Sequence, residues 1–159
     1  MSKPRKKYKP KGVRLDVMAY VKQGMAPMTS HNDAVLALRI KNHAALTAIT
    51  QGKAVRDDID ILISAVNMTE ALAIHGLGSD WRAEITAAQE AILTMTRRGI
   101  ERGDKFIFTG PELQAVNLAM DVHDAQIDQA SVLDLEKALS KVQQEIKAGR
   151  ARPVERKAA

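Results

Sequence analysis

The chain has 159 residues, a length that supports one domain with a real core, and its 45% hydrophobic and 27% charged residues exclude wholesale disorder. It contains no cysteine, which excludes disulfides, thiolate metal sites, iron–sulfur clusters and a cysteine nucleophile, and no run approaches the roughly eighteen apolar residues of a membrane span. The net charge of +5 conceals a segregation: residues 1–14 carry seven basic side chains and no acidic one, residues 147–159 sum to +4, and the stretch between sums to −6.

The opening MSKPRKKYKPKGVR has Pro4, Pro10 and Gly12 set among like charges and nothing to bury, which predicts a disordered arm over 1–12. After it, VRLDVMAYV offers Val13, Leu15, Val17, Met18 and Val21, a spacing compatible with a short strand or a helical turn, before Gly24 and Pro27 interrupt it. The first helix is predicted from Asn32 to Thr50, with Ser30 or Asn32 as N-cap, Asp33 in the first turn and Gly52 just past the end. Val35, Leu38, Ala45 and Ile49 mark its apolar face. A second helix runs from Val55 to His75 and stops at Gly76. Asp57, Asp58 and Asp60 occupy its first turns, where the helix dipole favours negative charge. Ile59, Leu62, Ile63, Val66 and Leu72, joined by Ile61, Met68 and Ile74, make it apolar over most of its circumference, as expected of a central helix.

GLGSDW is a tight connection, and Ser79 is a candidate cap for a third helix from Asp80 to Arg102 with the stripe Trp81, Ile85, Ala88, Ile92 and Met95. Arg97, Arg98 and Arg102 fall near its negative pole. KFIF, residues 105–108, reads either as an extended edge segment or as a loop plugging the core. Thr109 and Glu112 then form a T-x-x-E capping box with Pro111 in the first turn. The helix that follows carries Leu113, Val116, Met120 and Ile127. It either continues or breaks near Ser131, itself a cap candidate with Asp134 three residues on. Val132, Leu135, Leu139, Val142 and Ile146 repeat at 3-4-3-4 spacing, which suits packing against another helix, and Gly149 closes the run. The fold class is therefore all-α, a compact bundle of four to five helices with disordered basic N- and C-terminal arms. The boundaries are 1–29 for the basic arm and irregular lead-in, 30–148 for the helical domain and 149–159 for the basic tail.

Four histidines, His31, His43, His75 and His123, include no pair at the i,i+4 spacing of a zinc-binding helix. Packing and hydrogen bonding account for them. Asn117, Asp121, Asp124 and Asp128 share a helix face at spacings of 4, 3 and 4. Such a row of oxygens suits a hard divalent cation only when a second segment completes the shell. A solvated acidic face able to dock a basic segment or a partner is the expected role. The phosphate-binding and nucleophile motifs GxGxxG, GxxxxGK[ST] and GxSxG are absent. Neither catalysis nor a cofactor or metal is expected.

The arms carry the functional signal. Lys and Arg on a free segment gain affinity for polyphosphate by releasing condensed counterions, which needs no fold. The candidate nucleic-acid contacts are Lys3, Arg5, Lys6, Lys7, Lys9, Lys11 and Arg14, with Tyr8 able to stack on an exposed base, and Arg150, Arg152 and Arg156 in the tail. Arg39, Lys41 and Asn42 are a weaker contribution from the body. No helix presents the basic face that reads a major groove, so contact with DNA or RNA is expected to be of low specificity. The same arms could instead lie on the acidic body or join two copies into a homo-oligomer.

KPRKKYKPKGVRLD, RIKNHAALTAITQGKA, NMTEALA, TGPELQAVNLAMDVHDAQ and the terminal RARPV together resemble a family of small basic helical proteins encoded by phages and prophages. The resemblance covers most of the chain and implies a mobile-element accessory protein that binds rather than catalyses. Two expectations follow. The first is non-specific nucleic-acid binding through the arms. The second is a protein-binding module that inhibits or redirects a host complex such as a defence nuclease, its acidic face acting as a phosphate mimic. A cytoplasmic location with no membrane contact is expected in either case.

Overall fold

The computed structural model describes residues 21, 24–28 and 32–150. The expected disorder of 1–12, the Ser30 cap, His31 and the tail beyond Arg150 lie outside the described residues. Five α-helices are present among them: α1 Asn32–Thr50, α2 Arg56–Ile74, α3 Arg82–Glu101, α4 Gly110–Gln129 and α5 Val132–Lys147. A 3-10 turn at Ser79–Trp81 precedes α3. Among the described residues no helix is long and apolar enough to cross a membrane.

α2 is the central helix and contacts each of the other four. Its sequence explains why. Ile59, Leu62, Ala65, Val66, Thr69, Leu72 and their neighbours bury one broad face, while Ile61, Ile63 and Met68 are half-buried on its flanks. Asp58 accepts the Val55 N–H at 2.9 Å, so a carboxylate closes the helix start at its positive pole. The main core joins α1 to α4 through Leu46, Ile49, Leu62, Val66, Ile85, Ile92, Met95, Val116 and Met120. Each fully buried Ile, Leu or Met contributes roughly 1.5–3 kcal/mol relative to exposure. A second cluster, Met28, Val35, Leu72, Ile127, Ala130 and Ala138, fastens α5 and the early chain onto α2.

The KFIF stretch is a loop that plugs the core. Phe106 is buried, Phe108 is half-buried against the same cluster and Ile107 is exposed. The plug is seated by Gly99 in the last turn of α3: a Cβ there would stand 2.3 Å from the Phe106 ring, so only glycine admits the aromatic.

Both capping signals near the C-terminal half are realised. Thr109 N–H donates to Glu112 Oε2 at 2.8 Å ahead of α4. At Ser131 the box is reciprocal, with Ser131 N–H donating to Asp134 Oδ2 at 2.9 Å and Asp134 N–H donating to Ser131 Oγ at 3.2 Å. The run from 110 to 147 is thus broken into two helices.

Three details differ from the sequence expectation. Ser79 does not cap α3. The chain turns instead at Gly78, in the left-handed region at φ 77°, and passes through the 3-10 turn first. Trp81, placed by that turn rather than by helical periodicity, leaves the stripe and is 44% exposed. The stripe of α5 is covered in part: Val132, Leu135 and Val142 pack against the second cluster, whereas Leu139 and Ile146 are exposed.

Ahead of α1, residues 26–28 run antiparallel to residues 130–132. Met28 N–H donates to Ala130 O at 2.8 Å, Val132 N–H donates to Ala26 O at 2.9 Å, and Pro27 faces Ser131.

Candidate functional site

The acidic row of α4 faces α1, and the two helices run antiparallel along it. Arg39, Asn42 and His43 fall at i, i+3 and i+4 on α1, one flank of the helix. Arg39 donates from Nη2 to the Asp124 carbonyl at 3.0 Å and to the Asp128 carboxylate. One turn on, His43 Nε2 donates to Asp124 Oδ2 at 2.8 Å. The row is therefore divided. Asp124 and Asp128 are tied to α1, whereas Asn117 and Asp121 are exposed and their side chains make no hydrogen bond to any described residue. Alongside, Leu36 and Ile40 stand in solvent on α1, Ile40 at 61% exposure.

Directly beneath this seam is a buried polar network. Thr69 Oγ1 donates to the Ala65 carbonyl at 2.9 Å, so toward His123 Nδ1, 3.0 Å away, it acts as acceptor. That fixes His123 as the Nδ1–H tautomer, leaving Nε2 to accept from Asn42 Nδ2 at 3.3 Å. Burial pushes the His123 imidazole down to about 4. Gln126, one turn further along α4, donates to the carbonyls of Thr69 and Leu77 at 3.0 and 2.7 Å. His123 is thus a neutral core bridge of α1, α2 and α4 that points away from the aspartate row. Among the described residues no group of three or more His, Cys, Asp or Glu side chains is placed to hold a metal ion.

The sequence suggests Arg39, Lys41 and Asn42 as weak nucleic-acid contacts of the body; Lys41 is exposed, and the geometry does not support that use of the other two. Arg39 is held by Asp124 and Asp128, and Asn42 is 4% exposed with its amide turned to His123. The flank spacing on α1 is visible in the sequence; its partners, more than eighty residues away, are not.

Arg98, Arg56, Lys141 and Arg150 are also engaged. Arg98 makes a two-pronged bond to Glu112 at 2.8 and 2.6 Å and also donates to the Ile107 carbonyl at 2.9 Å, clamping α3, the plug loop and the start of α4. The Arg98 hydrogen bonds, with help from the Thr109 N–H and against the opposing effect of burial, hold the Glu112 carboxyl at about 2. Arg56 meets Asp104 at 2.9 Å. Arg150, the one tail candidate within the described residues, is bonded with Lys141 to Glu145, and those two cations lower the Glu145 carboxyl to about 2. The remaining candidates, Lys3, Arg5, Lys6, Lys7, Tyr8, Lys9, Lys11, Arg14, Arg152 and Arg156, lie outside the described residues.

Comparison with known proteins finds no matching family model, no matching curated protein and no matching solved structure.

Proposed function

We propose that this chain is a nucleic-acid-binding accessory protein that contacts phosphate with little sequence preference through Lys3–Arg14, assisted by Arg150, Arg152 and Arg156. The observation that supports this reading is the partition of charge. Seven basic residues without an acidic one precede a body that is acidic overall, and on that body Arg39, Arg56, Arg98 and Lys141 are already engaged by carboxylates. The densest run of positive charge in the chain is residues 1–14, and polyphosphate is the ligand whose affinity rises with local cation density. The resemblance to small basic phage and prophage proteins supports the same class.

Fluorescence anisotropy of labelled single- and double-stranded oligonucleotides tests it. Engagement of all seven arm cations gives a slope of log K against log salt of about −6, with near-complete loss of binding when residues 1–14 are removed. Absence of binding by the full-length protein at about 50 mM salt rejects the reading, since that is the condition most favourable to phosphate contact.

A second reading, a module that blocks a host protein, is favoured by one separate observation: Leu36 and Ile40 stand exposed on α1, flanking Arg39, which is bonded to Asp128. It predicts activity that survives removal of residues 1–14 and falls on charge reversal of Asp121 and Asp128.

A further inference from the structure

The second cluster takes up only one edge of the α5 stripe. On the other edge Leu139 is 43% and Ile146 59% exposed, and their helical spacing makes them a single ridge. Beside Leu139 a groove of about 500 Å³ opens between α5 and the start of α1, with Met28, Ala34, Leu135, Glu136 and Gln143 in its walls. Ridge and groove together are the surface on which a second helix packs.

The charges on that face say which helix fits. Glu136 stands just before the ridge and Lys147 just after it, and the helical period puts both on the same side of it. Both are exposed, and neither makes an ion pair with a described residue. Lys141 and Arg150, by contrast, are bonded to Glu145. Two copies of α5 laid antiparallel set Leu139 opposite the partner's Ile146 and Gln143 beside the partner's Gln143. The same register brings Glu136 to the partner's Lys147, and the two-fold repeats that pair with the roles exchanged. Laid parallel, the face would set Glu136 against Glu136 and Lys147 against Lys147. Flanking charges of this kind choose partner and orientation between packed helices. The face is self-complementary in the antiparallel orientation alone.

We infer that this face of α5 seats a second copy of the chain, in a two-fold dimer whose axis passes beside Gln143. The inference is independent of the nucleic-acid reading above. One helix from each copy makes a small interface, so the dimer is reversible and its population follows concentration.

The chain has no cysteine, so an introduced one reports without background. Gln143→Cys, at the axis, is compared with Lys137→Cys, exposed on the other flank of α5 beside His75. Mild oxidation is expected to link most of the first variant as a disulfide-bonded dimer and little of the second. Light scattering of the full-length protein is expected to show its mass rising toward that of a dimer between about 5 and 200 μM, the range suited to a small interface. Leu139→Asp removes two leucines from each dimer and should raise the dissociation constant at least about tenfold. Lys147→Glu should weaken the dimer, and Glu136→Lys added to the same chain should restore it, a recovery that a folding defect would not show. Equal cross-linking of the two cysteine variants overturns the inference, as does a protein that stays monomeric throughout, and the stripe then belongs to another occupant. A dimer unaffected by Leu139→Asp and by the charge exchange also overturns it, since the contact then lies elsewhere.

Discussion

His123 is the residue whose environment has the plainest thermodynamic consequence. Its imidazole sits at about 4 in the folded protein against an ordinary 6.5, because burial disfavours the charged form. A base whose folded value is depressed takes up its proton first in the unfolded chain. Stability is therefore constant above about 6.5, falls as pH drops below it, and stops falling from this cause near 4, a total loss of about 3 kcal/mol. Urea denaturation between pH 7 and 4 should show that decline, and His123→Gln, less stable at neutral pH, should show a flatter one. Glu112 acts in a lower window: its stabilisation is present above about 4.5 and lost as pH falls toward 2. Gly99 makes a steric prediction. Gly99→Ala drives a methyl into Phe106 and should destabilise by about 1–3 kcal/mol. Combining it with Phe106→Leu, which shortens the plug, should cost less than the sum of the two single changes, measured by the shift in urea midpoint.

Among the elements, α4 and α5 are specified by their starts. Ser131→Ala removes an acceptor for the Asp134 N–H and should cost about 1 kcal/mol. The loss should appear chiefly as faster amide exchange in α5, the helix with least packing to compensate. Glu112→Gln gives up the charged bond to Arg98, mostly shielded from solvent, and should cost about 1.5–3 kcal/mol while loosening the 102–109 loop. These boundaries are legible in the sequence because a cap is local chemistry: Thr109 with Glu112 and Ser131 with Asp134 meet across three residues. The central place of α2 is legible too, since a helix that is apolar around most of its circumference must be enclosed on several sides at once. Trp81 is not, because its orientation follows from the turn at Gly78 and not from a period of 3.6. The α4 row is legible as a row of oxygens, but its division is hidden: Arg39 and His43 reach Asp124 and Asp128 only once α1 and α4 lie side by side. Nor can the 3-4-3-4 spacing of α5 say whether the described body covers it.

At the scale of the whole molecule, charge is distributed by segment. Removing residues 1–14 takes seven positive charges from a chain of +5 and leaves it at −2. The truncated protein should fold with an unchanged urea midpoint and fail to bind a cation exchanger at neutral pH. Should the midpoint fall instead, the arm is part of the folded body. The clasp of residues 26–28 with 130–132 also gives the molecule a mechanical order. It ties the two ends of the chain together ahead of the bundle, so residues 28–130 form a closed loop that tension on the termini cannot load while the clasp holds. Because its two strands are antiparallel and both exits lie on the same side, a pull parts its two hydrogen bonds in sequence, like a zip. α5 is then the fuse of the structure: it peels away at low force, and the four-helix core behind it feels the load only afterwards.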